Sequence, residues 1–164
     1  MPGKGIFTFG GGGGGGLSAL DYYGGYLSTP VNTAGVTWVA LSPWTKEYQS
    51  ANFSNNGLEW VQTDFDGYVY LVANISCTCY GNPAAQFAHF QHRPVATGVW
   101  GTITQSERSE TFQPSFGFES QVIINYGPYP CLTGDRFRVR ARLSVIVGLT
   151  QWTSYSYRTL IRVA

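Results

Sequence analysis

From Val36 onward the chain alternates its side chains with a period of two. Val69, Leu71, Ala73, Ile75 and Cys77 fall on one side of a run whose other side carries Tyr68, Tyr70, Val72, Asn74 and Ser76. Successive side chains of a strand point to opposite faces, so this spacing predicts a half-buried strand with the Val69–Cys77 set toward the core. Arg136–Val147 alternates in the same way, with Phe137, Val139, Ala141 and Leu143 set between arginines. Further strands are expected over Val36–Leu41, Leu58–Thr63, Gln86–His92, Val95–Gln105, Gly117–Asn125 and Trp152–Val163, the last with Tyr155, Tyr157, Thr159, Ile161 and Val163 on one face. Turn chemistry punctuates them at Asn55-Asn56-Gly57, Asp66-Gly67, Gly81-Asn82-Pro83, Gly127-Pro128-Tyr129-Pro130 and Gly134-Asp135. No segment sustains the i, i+3, i+4 apolar spacing of a helix, and no fixed-period repeat points to a propeller or solenoid. About eight short strands rich in β-branched and aromatic residues predict an all-β fold: a single jelly-roll β-sandwich over residues 35–164.

Residues 1–34 read differently. They are rich in Gly, Ser and Tyr, and include seven consecutive glycines, Gly10–Gly16. Holding seven glycines in one conformation costs on the order of 7–14 kcal/mol of backbone entropy. Ordering the run therefore needs restraint from its flanks. The apolar anchors are Ile6, Phe7 and Phe9 ahead of it and Leu17, Leu20, Tyr22 and Tyr23 behind. Each buried Phe or Ile contributes roughly 1.5–3 kcal/mol, enough together to offset the ordering. The expectation is an extended Gly-rich N-terminal arm that docks onto neighbouring chains.

The 164 residues are one domain's worth of chain. Charged residues make up 12 % of them, about half the usual fraction. Such a surface is either covered by Tyr, Asn, Thr and Ser or buried against partners. The net charge of +1 argues against nucleic acid as a partner. The apolar runs fall far short of the ~20 residues of a membrane span, and Met-Pro-Gly-Lys at the start lacks a signal-like apolar stretch. Synthesis in a host cytoplasm is expected. Asn52-Phe53-Ser54 and Asn74-Ile75-Ser76 match glycosylation acceptors but are discounted on that ground. Three cysteines, Cys77, Cys79 and Cys131, are not a disulfide framework; one bridge is open to them, and reduced core thiols are the simpler expectation.

Candidate chemistry is sparse. Cys77-x-Cys79 with His89-x-x-His92 holds four potential zinc ligands, but the spacing is no recognised finger and Cys77 lies on the apolar side of its strand. No metal and no cofactor are expected. The glycine run lacks the Gly-Lys-Ser/Thr of a phosphate loop, there is no Gly-x-Ser-x-Gly elbow, and nothing ties a nucleophile to the histidines. No catalytic residue is nominated, and the protein is not expected to be an enzyme. Asp64 and Asp66 flank a turn. Tyr22, Tyr23, Tyr26, Trp44 and Tyr48 are either a sugar-binding surface or aromatic groups packing an arm onto a domain. The sharpest electrostatic feature is Arg136, Arg138, Arg140 and Arg142, four guanidinium groups on one face of one strand, about 6.8 Å apart. They are expected to meet carboxylates such as Glu119, a neighbouring subunit or an acidic ligand, because the Arg fork suits carboxylate and phosphate.

Asp66-Gly67-Tyr68-Val69-Tyr70-Leu71-Val72-Ala73 resembles the G-x-Y-x-F strand of the tumour necrosis factor/complement globular-head superfamily. Ser120-Gln121-Val122-Ile123-Ile124, followed by Cys131-Leu132-Thr133-Gly134-Asp135-Arg136-Phe137-Arg138-Val139, is similar to its L-x-x-G-D-x-V-x-V block, and Thr159-Leu160-Ile161 stands where its last core strand does. The resemblance covers residues 36–164 in order. It implies a compact jelly roll that assembles as a homotrimer and is used for binding or display. Similar jelly rolls serve in spike, vertex and decoration proteins of viruses and phages. The arm is not a collagen-like stem, which favours a virion component: a capsid-associated structural protein whose partners are other copies of itself and other capsid proteins. The alternative is a soluble glycan- or receptor-binding module of the same fold.

Overall fold

The structure is a computed structural model that describes residues 21–33, 36–80, 85–113, 117–145 and 149–163. Two antiparallel sheets face one another as a sandwich. The first contains β1 (Tyr22–Leu27), β2 (Val31–Thr33), β4 (Trp44–Gln49), β7 (Gly67–Tyr80), β11 (Glu119–Cys131), β13 (Leu149–Trp152) and β14 (Tyr157–Val163). Its order is β2-β13-β7-β14-β1-β4, with β11 on the other edge of β7. The second contains β3 (Val39–Ala40), β5 (Phe53–Asn55), β6 (Val61–Thr63), β8 (Ala85–Arg93), β9 (Gly101–Thr102), β10 (Arg108–Thr111) and β12 (Arg136–Leu143). Here the order is β10-β8-β12-β6-β5, with β3 beside β12 and β9 beside β8. The only helical element among the described residues is a 3₁₀ turn, Thr104–Ser106. None of their helices is long and apolar enough to cross a membrane. This is the expected all-β jelly-roll sandwich.

The period-two pattern sets the core. Val69, Leu71, Ala73, Ile75 and Cys77 of β7 are fully buried, as are Phe137, Val139 and Ala141 of β12. Between them lie Phe53, Val61, Phe90, Ile124 and Trp152. One polar side chain ties the sheets together inside this core. Gln86 of β8 donates from Nε2 to the carbonyls of Ile75 (2.9 Å) and Ser120 (3.1 Å) and accepts from the Trp152 indole N–H (3.2 Å). A buried amide so fully bonded fixes the registry of the layers at little cost.

Five expectations about elements are corrected. Tyr22–Leu27, placed in the arm, is a strand inside the first sheet, paired with β14 through Tyr23↔Leu160 and with β4 through Tyr26↔Thr45. Tyr23 is 1 % exposed and belongs to the core, so it cannot anchor an arm to a neighbour. The strand expected at Val36–Leu41 shrinks to Val39–Ala40. The one expected at Val95–Gln105 is mostly loop, because the Asp135 carboxylate captures the Val95 N–H (2.8 Å) and Arg93 Nε donates to the Gly98 carbonyl (2.6 Å). The turn expected at Gly127–Pro130 is instead a bulge inside β11, between Tyr126↔Leu71 and Tyr129↔Val69. Among the described residues no named strand pairs with β11 on the edge away from β7, and the isolated bridge there, Gln113 to Glu119, lies at the far end of β11 from Pro128 and Pro130, which the edge accommodates. Gly127 is required there: its φ is +148°, and a Cβ would stand 2.9 Å from the Val69 carbonyl oxygen. The final run divides into β13 and β14 at a turn where the Ser156 hydroxyl bonds both the N–H (3.0 Å) and the carbonyl (3.2 Å) of Ser76.

Candidate interaction surfaces

The outward side of the first sheet is a tyrosine field. The outward positions are Tyr22 and Tyr26 on β1, Tyr68, Tyr70, Val72 and Asn74 on β7, Gln121, Ile123 and Asn125 on β11, and Tyr157, Thr159 and Ile161 on β14. None of them is charged. Ile123 is 62 % exposed and Tyr68 52 %, and Tyr26 and Tyr157 are exposed cross-strand partners. Tyr22 stacks on Tyr48 with ring centroids 4.2 Å apart. Charged groups appear at the margin, in Lys46 and Glu47 of the edge strand β4 and in Glu119 at the start of β11. A charge-free centre rich in Tyr and apolar groups, rimmed by charge, is the composition of a protein interface. Of the aromatic set named from sequence, Tyr22, Tyr26 and Tyr48 lie on this face. Tyr23 and Trp44 do not; they are buried, with the Trp44 indole N–H donating to the Leu41 carbonyl (2.5 Å). Ile6, Phe7, Phe9, Leu17, Leu20 and the glycine run lie outside the described residues.

The outward side of the second sheet is basic. Arg136, Arg138, Arg140 and Arg142 stand in one row on β12, and across from them on β8 stand Arg93, Gln91, His89 and Phe87. The carboxylate that meets the row is Glu59, which pairs with Arg138. Glu119, the expected partner, lies on β11 in the other sheet. Three tryptophans fold back over the arginines, each from the residue just before a short strand. Trp60, ahead of β6, takes the Arg136 guanidinium at 4.1 Å; Trp100, ahead of β9, takes Arg138 at 4.2 Å; Trp38, ahead of β3, takes Arg142 at 5.1 Å. Arg142 also stacks on Phe87 (4.3 Å), and Arg140 donates to the Trp38 carbonyl. His89 is buried beneath Trp38, centroids 4.0 Å apart, with Nδ1 3.6 Å from the Glu107 carboxylate. Burial holds the His89 imidazole below its ordinary value, against the pull of Glu107 and with help from Arg140 and Arg138. Burial, and next the charge of Arg138, likewise lower Arg140. Sequence reasoning found the arginines but placed Trp38, Trp60 and Trp100 inside expected strands, and alternation within a strand carries no signal of which distant side chain an aromatic ring will cover.

The remaining candidates separate. Cys77 and Cys79 are fully buried on β7, and burial pushes the Cys77 thiol well up. His89 and His92 sit on opposite faces of β8: His89 on the basic face, His92 stacked on core Phe137 at 4.9 Å. No group of three or more His, Cys, Asp or Glu side chains among the described residues is arranged to hold a metal. His92 has a different role. Its Nε2 lies 2.8 Å from Asp135 and its Nδ1 3.0 Å from the Tyr129 hydroxyl. Asp135 also accepts from the Val95 (2.8 Å) and Leu132 (3.0 Å) N–H groups. The carboxylate therefore assigns the ring proton to Nε2 and leaves Nδ1 to accept from Tyr129. This network fastens the loop after β8 to the ends of β11 and β12, beside a cavity of about 270 Å³ lined by His92, Trp100, Thr102 and Tyr129. It also explains the Gly134-Asp135 pair. The glycine takes φ +94° so that the buried aspartate can reach inward. Asp66, expected only to make its own turn, also reaches across to a distant loop, accepting from the N–H (2.8 Å) and hydroxyl (3.0 Å) of Thr133.

No protein-family model matches the chain, and no curated protein sequence matches it. Solved structures do. The Eiger tumour necrosis factor of S. frugiperda superposes with a TM-score of 0.62 at 10 % identity, covering 88 % of this chain and 93 % of that one. Murine APRIL, in structures at pH 8.5 and pH 8.0, superposes with a TM-score of 0.56 at 11 % identity, covering 87 % of this chain and 99 % of its own. At such identities the likeness is one of fold, and the fold of this chain is a jelly roll like the globular head of tumour necrosis factor.

Proposed function

We propose that the protein is a non-enzymatic display module that self-associates as a trimer and serves as a structural component of a viral or phage particle. The observation that carries the self-association is the charge-free tyrosine field on the first sheet. A solvent-facing sheet of a monomer normally alternates apolar-in with polar or charged-out. Here the outward positions are aromatic and neutral, which suits burial against identical copies and gives few groups that would need desolvation. The trimer is what the globular-head resemblance implies. Residues 1–20, with Ile6, Phe7, Phe9, Leu17 and Leu20, act as the arm that joins the module to other capsid proteins.

Sedimentation equilibrium on the purified chain tests the assembly. The expected species is a trimer of 18.0 kDa chains. Tyr26→Asp combined with Tyr157→Asp places charge on two facing strands of the field and should yield a monomer with an unchanged melting temperature. A wild-type monomer at all concentrations would defeat this reading. The particle role is tested separately: removal of residues 1–20 should leave the sandwich folded and abolish incorporation, and a truncated chain that enters particles normally would make the arm a mere linker. The second reading, a soluble glycan- or receptor-binding module, draws on the basic face, and a chain that trimerises but never associates with particles would favour it.

A further inference from the structure

We infer that the basic outer face of the second sheet binds an extended sulfated polysaccharide. It is independent of the self-association proposed for the tyrosine field, which lies on the first sheet, and it names a ligand class for the second reading, the glycan-binding module.

The face is over-supplied with positive charge. Five arginines, Arg93, Arg136, Arg138, Arg140 and Arg142, meet two carboxylates, Glu59 and Glu107. Internal contacts occupy only part of their donor capacity. Arg138 is spoken for by Glu59 and by Gln91 (2.8 Å). Arg136 uses Nε on Gln62 (3.1 Å) and Arg93 uses Nε on the Gly98 carbonyl (2.6 Å). Among the described residues, no acceptor takes the terminal nitrogens of Arg93, Arg136 or Arg142, and Arg142 is held by ring stacking alone. Stacking fixes a guanidinium in place while leaving its in-plane N–H fork open, which is the arrangement that bidentate anions need. The row is rigid: β12 is paired with β8 along its whole length without a bulge. From Arg136 to Arg142 it extends about 20 Å, so its complement is a linear chain of anions, not a single small one.

Two further observations select the polymer. Each tryptophan already has an arginine over its ring, which removes the open stacking platforms on which single-stranded nucleic acid depends. An acidic peptide could not add to the sheet at β12, because β8 takes one of its edges and β3 and β6 take the other. A polysaccharide needs no main-chain pairing, and its sulfates fit the open guanidinium forks.

The test is titration calorimetry of the full chain with a heparin oligosaccharide, the same oligosaccharide after desulfation, an oligothymidylate and poly-glutamate. Binding to the sulfated probe is expected, with loss on desulfation and in about 0.5 M salt, where the screening length falls well below that of physiological buffer. Arg136→Gln combined with Arg142→Gln should weaken it roughly tenfold or more, because each lost charged hydrogen bond is substantial. The melting temperature should fall only modestly, through the lost stacking on Trp60, Trp38 and Phe87 and the lost Arg136 Nε bond to Gln62. If that variant does not fold, Arg93→Gln carries the same comparison with a smaller effect. The inference is overturned by no binding to the sulfated probe, by equal binding of the oligothymidylate or poly-glutamate, or by arginine variants that bind as the parent does.

Discussion

Arg158 is fully buried, and its guanidinium donates to the main-chain carbonyl of Glu59 while the Glu59 carboxylate holds Arg138 on the far sheet. One residue on a connecting loop thus joins an arginine of the core to an arginine of the basic face. The Arg158 guanidinium lies against Trp44 at 4.5 Å and Tyr23 at 5.7 Å, and burial pushes its pKa down to about 10. Its charge is balanced by aromatic faces and a carbonyl, with no carboxylate in direct contact among the described residues.

This arrangement predicts an asymmetry between two substitutions. Arg158→Ala leaves a cavity and an unpaired carbonyl and should cost about 3 kcal/mol or more in urea denaturation. Arg158→Met refills most of the space but leaves the same carbonyl unpaired, so it should cost less than Arg158→Ala by about 1 kcal/mol or more, the difference being the cavity. Equal losses for the two would mean that the bond to Glu59, and not the volume, is what matters.

Neighbouring positions on β7 should behave oppositely. Leu71 is fully buried and Tyr70 is exposed on the tyrosine field. Leu71→Asp places an unpaired carboxylate in the core and should abolish the folded state. Tyr70→Asp should leave the circular dichroism spectrum and melting intact and act on self-association instead. Unfolding of both variants would refute the assignment of faces.

The bulge in β11 depends on Gly127. Alanine there would be strained at φ +148° and would put Cβ 2.9 Å from the Val69 carbonyl oxygen and 3.0 Å from the Tyr70 Cα. Gly127→Ala should destabilise by about 2 kcal/mol or more, read from the denaturant midpoint. Gly57→Ala makes a control, since a Cβ at Gly57 meets nothing within 4 Å and only its φ of +74° is strained. A Gly127→Ala protein as stable as the control would show that β11 can flatten without loss.

Stability should also fall on mild acidification. Burial keeps His89 neutral in the folded protein below its ordinary value of 6.5, with Arg140 and Arg138 adding to the effect and Glu107 opposing it. The unfolded chain takes up a proton near 6.5 while the folded one resists, so the unfolded state binds more protons in that window. The His89 contribution is therefore intact above pH 6.5 and declines as the pH drops below it, with the slope of a single proton. His89→Gln should flatten this part of the profile of melting temperature against pH. A parent profile that is already flat from pH 7 to the carboxylate range, about 4, would contradict the assignment.

Sequence alone determined what depends on near neighbours. The alternation of Val69–Cys77 and of Phe137–Leu143 fixes which face of β7 and β12 is buried, because a strand's side-chain period is two and a one-residue slip would reverse it. The turns at Asn56-Gly57 and Asp66-Gly67 were legible from residue chemistry, and the Arg136–Arg142 row from spacing. Tertiary structure decided what depends on distant partners. Tyr22–Leu27 looks like loop and becomes a strand because β14 and β4 supply hydrogen bonds on both of its edges. Pro128 and Pro130 look like chain breakers and are accommodated because β11 has an open edge. The apolar residues of 95–105 look like a strand, and the Asp135 carboxylate holds the segment as a loop from across the fold. Trp38, Trp60 and Trp100 fall within stretches that alternate like strands, yet each sits just ahead of a short strand and folds over an arginine, because stacking is a contact between chain segments that only folding brings together. Local periodicity encodes a buried face, whereas an interaction surface is assembled from segments far apart in the chain, and no short window of sequence contains it.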